Sequence, residues 1–321
     1  MPGSVGDNRA HFDLALARES SGGEWLVLHL GEAIGLGYKL ATCDAQGLRV
    51  WGLRLLVRLM GVFRDAADPD IEGHMLLEQF QVQVMSALRS NSTSAPSSGD
   101  ASANGDGGDQ SASAAPAPPD VVAGTAQLAA GFVVAQAAAG DVQSLKRVVS
   151  VLAKHAAQVL GNGAARAPQY AGYAEWVGAH VRREVLVAAA DVAVWRAGVT
   201  GASSTPRAEA EAGVVDVLLL EPHGEALRAG WLELLKGEIV RAHECDGSEA
   251  SSRASQLFEA ICSVDSRADG GGSADADLLL AVAVMLLRET DRDAALAAAI
   301  RALPALVEGC SDDALATEAL A

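Results

Sequence analysis

Four cysteines, seven histidines and 41 carboxylates give this chain of 321 residues the raw material for metal or acid–base chemistry, but their spacing organises little of it. Cys43, Cys245, Cys262 and Cys310 stand far apart and form no Cys-x-x-Cys pair, so neither zinc nor a redox dithiol is indicated. Four free, mostly buried thiols in a reducing compartment is the reading they support. His243 and Cys245 are close in sequence, yet no second pair completes a tetrahedral site. His74 precedes the motif helix, and beside a turn an ordinary hydrogen bond is its expected role, with no switch assigned to it. Glu78 and Gln79 lack a neighbouring acid, base or metal ligand with which to act. Gly35-Leu36-Gly37 lacks the third glycine and the preceding strand of a dinucleotide fingerprint. No Gly-x-Ser-x-Gly, Walker loop, kinase catalytic loop or His-Glu-x-x-His occurs. The expectation is a non-enzyme without metal or cofactor.

Binding is the chemistry left. Arg49, Arg54 and Arg58 fall on the outer side of one helix in an otherwise acidic chain, and could receive an acidic segment of a protein partner. The alternative is a solvated or internally paired face, which exposed arginines commonly form. Adjacent cations at Lys146-Arg147 and Arg182-Arg183 read as solvated faces. A net charge of −17 opposes general attraction to nucleic-acid phosphates or anionic lipid, so no nucleic acid is expected as a partner.

The elements that must carry these side chains are helices. Half the residues are apolar and 4% aromatic, with Ala and Leu dominant, and apolar positions recur with a period near 3.6. Leu48, Gly52, Leu55, Leu56, Leu59 and Phe63 make one stripe. Asp68-Pro69-Asp70 then turns the chain into a single amphipathic helix over 73–89, with Leu77, Phe80, Val84 and Leu88 on its inner face, and the two are expected to pair as a hairpin. Asp120 and Asp141 read as N-caps, the second of a helix with Leu145, Val148, Val149, Leu152 and Ala156 inward, ended by Gly161-Asn162-Gly163. One or two helices follow over 170–199, another over 208–220, and one after Pro222 facing inward through Leu227, Trp231, Leu234 and Leu235. Thr290 and Asp293 fit a capping box before a last helix that Pro304 kinks. The fold class is all-α, and the succession of helix pairs suits an α-solenoid of HEAT or armadillo type, with a globular bundle as the alternative.

Residues 90–119 hold Ser, Ala, Gly, Asp, Asn and Pro almost alone, too little apolar surface to offset the entropy of ordering, so a disordered insert is expected. The division is then 1–23 as a disordered N-terminus, 24–89 and 120–245 as HEAT-like helices around that insert, and 246–321 as further helices with flexible breaks. Asn91-Ser92-Thr93 matches a glycosylation sequon, but residues 1–25 lack the apolar run of a secretory signal, and a cytosolic chain never meets that machinery. Residues 121–140 are uncharged yet Ala-rich, a buried helix rather than a membrane span, and 278–287 is too short to cross a bilayer.

Arg49-Val50-Trp51-Gly52-Leu53-Arg54-Leu55-Leu56, Phe63, Asp68-Pro69-Asp70, Gly73-His74-Met75-Leu76-Leu77-Glu78-Gln79-Phe80-Gln81-Val82-Gln83 and Ala87-Leu88-Arg89 together resemble the HEAT repeat-containing protein 5 family, animal and plant (SWEETIE) members included. Pro119-Asp120-Val121, Gly140 to Val148 and Trp231 to Lys236 continue the likeness. It covers residues 45–160 and extends to 241. The family's members are very long HEAT arrays, so the resemblance implies that this chain is a portion of one. It further implies a scaffold in vesicle-mediated transport between the trans-Golgi network and endosomes, alongside clathrin adaptor subunits, cytoplasmic and held at Golgi and endosomal membranes only through partners. The plant relative implies regulation of carbohydrate metabolism and development instead. Phe80 replaces the family's usual Tyr, and the insert interrupts a normally compact connection.

Overall fold

The computed structural model describes residues 11–19, 25–92, 117–138, 140–161, 173–201, 206–244 and 248–265, with positions 279 and 282. Among them the chain is helical, without strands and with one isolated bridge, Ala67 to Met75. Helices α1 (Leu14–Glu19), α2 (Leu30–Ala41), α3 (Gln46–Val62), α4 (Gln81–Ser92), α5 (Pro119–Val134) and α6 (Val142–Gly161) precede α7 (Glu175–Gly201), α8 (Pro206–Val215), α9 (Glu221–Glu244) and α10 (Ser248–Asp265). The chain divides into compact units over Met1–Val185 and Leu186–Ala321, the boundary falling inside α7. An all-α, HEAT-type repeat fold is what these helix pairs form.

The tightest pairing in the first unit joins α2 to α3. It is set by small residues. A Cβ on Gly52 would stand 2.2 Å from the Ala41 nitrogen and 2.7 Å from the Gly37 oxygen, and one on Gly37 would meet Leu56 at 2.9 Å. The backbones therefore touch where side chains normally keep helices apart. On its other flank α3 presents Leu53 and Met60 to Gly124 and Gly131 of α5. Serving two neighbours explains why the expected single stripe is wrong in part: Gly52, Leu56, Leu59 and Phe63 are buried, with Leu53 and Met60 added, while Leu48 is exposed.

The segment over 73–89 is not one helix. Gly73 adopts φ +78° in a turn closed by Asp68 N–H to His74 O and Leu76 N–H to Ala66 O, a 3₁₀ turn covers Leu76–Phe80, and the α-helix begins at Gln81. The expected hairpin with α3 is also corrected, because α4 packs chiefly on α2 and α5. Buried Asn91 fixes that choice by donating from Nδ2 to Ala41 O (2.9 Å) and Ala87 O (2.8 Å). The helix thus runs through Ser92, and residues 90–92 do not belong to the insert. Asn91 of the sequon is an interior side chain. At the other end Pro118 caps α5 and Pro119 opens it, so 117–119 do not belong to the insert either, and positions 93–116 lie outside the described residues.

At the N-terminus the expected disorder over 1–23 fails for 11–19. Val27 N–H bonds His11 O, Phe12 faces Phe63 with ring centroids 6.0 Å apart, and Arg18 forks onto both oxygens of Asp70 at 2.7 and 2.9 Å. These contacts anchor the stretch. Residues 1–10 and 20–24 lie outside the described residues.

Helix α5 is buried on nearly every side. Pro118 rather than Asp120 is its N-cap, with Pro119 at the first turn, where a missing N–H costs nothing. Its C-terminus closes with Gln136 N–H to Val133 O and Ala137 N–H to Phe132 O, a Schellman arrangement with Gln136 at φ +51° where glycine is usual. Gln136→Gly should therefore stabilise the first unit by about 0.5–1 kcal/mol, measured by urea unfolding. Asp141 caps α6 as expected, accepting from Gln143 N–H (2.9 Å), Ser144 N–H (3.2 Å) and Ser144 Oγ (2.5 Å), and these bonds hold its carboxyl below the usual range. The predicted inner face of α6 is buried throughout.

In the second unit α9 and α10 form the most extensive pair. Trp231 is fully buried and donates from Nε1 to Leu186 O at 2.8 Å; Leu227 and Leu235 are buried with it, and Leu234 is half-buried. Pro222 does not break the chain into separate helices. A π-helical turn over Asp216–Leu220, with Glu221 N–H reaching back to Asp216 O, widens the helix just before the proline and carries α8 into α9. Arg196 of α7 forks onto Asp216, Nε to Oδ1 at 2.9 Å and Nη2 to Oδ2 at 3.0 Å; burial pushes that carboxyl up despite the guanidinium. Leu279 and Val282 are helical and buried. The capping box at Thr290 and Asp293, Pro304, Asn162-Gly163 and the rest of 266–321 lie outside the described residues.

Candidate functional site

The three arginines do not share one surface. Arg49 and Arg54 are five residues apart, which rotates them by about 140° on a helix. Arg49 turns back into the α2–α3 connection, where Nε and Nη2 donate to Cys43 O at 3.1 and 3.0 Å. It holds the turn and is not available to a partner. Arg54 and Arg58 are exposed on the face of α3 opposite Gly52, and neither forms an ion pair among the described residues. The Arg54 guanidinium carbon lies 5.7 Å from the centre of the Trp51 ring. An exposed contact of that kind contributes about 0.5–1 kcal/mol.

Trp51 is the residue that attention to charge alone misses. It is 64% exposed at the centre of the same face, with Leu48 (50%) and Val62 (49%) toward the two ends and Leu55 half-buried beside it. Tryptophan and arginine are the side chains that most often dominate protein interfaces, because each combines a large flat area with a directional polar group. Helical spacing could have found this face: Trp51, Leu55, Arg58 and Val62 recur at four, three and four.

The other singled-out residues have structural roles. His74 Nδ1 contacts Glu78 Oε2 across one turn, and Gln79 Nε2 donates to Leu76 O at 3.0 Å, so both side chains brace the 3₁₀ segment. Cys43 and Cys262 are half-buried thiols, whereas Cys245 and Cys310 lie outside the described residues. No group of three potential ligands could hold a metal ion among the described residues, and no helix there is long and apolar enough to cross a membrane.

One buried titratable group bears on stability. His155, 4% exposed in α6, faces Gln158 Oε1 at 3.3 Å through Nδ1, and its Nε2 meets no partner. Burial lowers its pKa below the ordinary 6.5, and the nearby Lys154 charge acts in the same direction. As pH falls through 6.5 the unfolded chain binds this proton before the folded one does, so the stability His155 permits above that pH is lost below it. Denaturant midpoints measured from pH 7.5 to pH 5 should fall less steeply in His155→Leu than in the wild type.

Comparison with known proteins agrees with the helical pattern. The family model described as the Laa1/Sip1/HEATR5 HEAT repeat region matches residues 25–239. The Arabidopsis thaliana protein named Protein SWEETIE is 44% identical over 94 residues, which are 28% of this chain and 4% of that protein. The matched portion is thus a small fraction of the relative's length. No solved structure matches the chain.

Proposed function

This chain belongs to the Laa1/Sip1/HEATR5 HEAT repeat family, and from that membership we propose that it is a non-catalytic scaffold in vesicle-mediated transport between the trans-Golgi network and endosomes. Its partners are protein, with clathrin adaptor subunits first among them, and it meets Golgi and endosomal membranes from the cytoplasm through those partners. The observation that carries the reading is the face of α3. Trp51, Arg54 and Arg58 offer an exposed aromatic and two cations on a rigid helix, within the span that the family model covers. Such a face binds by shape and charge and needs no chemical step. Arg49 supports it from behind by fixing the turn into α3.

Affinity purification of the tagged chain from its own cells, beside the Trp51→Ala, Arg54→Glu variant, tests this. Adaptor subunits should be enriched with the wild type and fall several-fold with the variant, whose changes are exposed and should leave thermal unfolding in place. Their absence from the wild-type sample, where known adaptor cargo complexes are recovered, would sink the proposal. The 44% identity with the plant protein favours one second reading, a scaffold that regulates carbohydrate metabolism. Deleting the gene separates the two: misplaced endosomal cargo with normal starch and soluble sugars leaves only the first.

A further inference from the structure

Helices α4 and α6 together contain no Asp or Glu, although the whole chain carries a net charge of −17. Their cations are Arg89 on one helix and Lys146, Arg147 and Lys154 on the other. Between the two helices runs an open groove whose floor is Met85, Leu88, Val148 and Val151, with Arg89 and Arg147 also lining it. At its end Ser92 contributes the wall, and the Lys154 ammonium donates to Ser92 O at 3.5 Å. Apolar floor and cationic rim thus occur in one place, between two helices that carry no carboxylate in an acidic molecule. Adjacent cations at Lys146-Arg147 read from sequence as a solvated face; the fold sets Arg147 across a groove from Arg89.

We propose that this groove docks a peptide segment of a protein partner in which one or two bulky apolar side chains are flanked by carboxylates. The floor selects the apolar group through Met85 and Val151, which are half-buried and lose their remaining exposure when it docks, over Leu88 and Val148, which are already covered. The rim selects the flanks, because exposed cations raise the rate of encounter with negative charge and disfavour positive partners. The acidic segment that follows α4 in the sequence, residues 93–116, has Asp100, Asp106 and Asp109 but no Leu, Ile, Val, Met or aromatic residue with which to fill the floor. A membrane is a poor occupant for the opposite reason, since the net negative charge of the whole molecule opposes approach to anionic lipid. The site is separate from the α3 face and does not depend on the traffic reading.

The test uses the full chain and fluorescence anisotropy with a labelled peptide carrying Leu-Phe between two Glu pairs. Binding should weaken by at least about tenfold in Arg147→Glu, Lys154→Glu, and as salt is raised. Met85→Ala, which touches the floor alone, should weaken it with little change in the salt dependence. Thermal unfolding of each variant reports that the unit remains folded. Four results would each overturn the proposal: no binding of the probe at millimolar peptide, equal binding by the charge-reversed variant, equal binding of a peptide with the 93–116 sequence, or displacement of the probe by phosphatidylserine vesicles. Adaptor recovery in the purification experiment is read independently, so failure here leaves the α3 face standing, and failure there leaves the groove.

Discussion

Gly52→Ala should lower the stability of the first unit by about 3 kcal/mol or more, the upper end of what overpacking costs. A methyl group there has nowhere to go. Its nearest neighbours are the Ala41 nitrogen, the Leu40 carbonyl carbon and the Gly37 oxygen, all backbone and all within 2.7 Å, so relief requires α2 and α3 to separate. For a unit of this size the loss corresponds to a fall in melting temperature of roughly 6–12 °C. Gly61→Ala on the same helix is the control. It meets nothing within 4 Å and should gain about 0.5–1 kcal/mol from helix propensity. If both substitutions behave alike in differential scanning calorimetry, the close approach of α2 and α3 is wrong.

Trp231→Ala should cost the second unit about 3–5 kcal/mol, the range for emptying a fully buried aromatic site. The indole fills the interior where α9 meets the helix carrying Leu186, and its N–H gives that carbonyl a second donor. Trp231→Phe separates the two contributions. It keeps most of the bulk and loses the hydrogen bond, which is worth about 1 kcal/mol plus the volume difference. A urea titration that finds Phe as damaging as Ala would show the bond, and not the packing, to dominate.

Much of this fold was legible in the sequence wherever one helix has one buried face. Leu145, Val148, Val149, Leu152 and Ala156 announce α6 because solvent covers its other side, and Asp141 announces its start because a carboxylate there satisfies free N–H groups. Legibility failed where a helix has two neighbours or where one atom decides the contact. α3 faces both α2 and α5, so its stripe is wider than a single period suggests. Gly37 and Gly52 act through the absence of a side chain, which a hydrophobic pattern does not record. Pro222 looked like a break because the π turn that accommodates it leaves no compositional mark. Order in 11–19 rests on a few contacts to distant residues, Arg18 to Asp70 and Phe12 to Phe63. The candidate site was half legible: charge pointed to Arg54 and Arg58, while their separation from Arg49 and the exposure of Trp51 required knowing which side of α3 is covered.

The burial of α5 has a consequence for how the protein is made. Leu53 and Met60 of α3, and the helix α4, are covered by a segment that follows Ser92 by more than two dozen residues. At ordinary rates of synthesis that segment is completed about 2–8 s after α4. During that interval the nascent chain carries α3 and α4 with the surfaces that α5 will cover open to water, the interval in which chaperone engagement is most valuable. Slowing translation between residues 93 and 134 should therefore lower the soluble yield, and speeding it should raise that yield, without changing one contact of the finished protein.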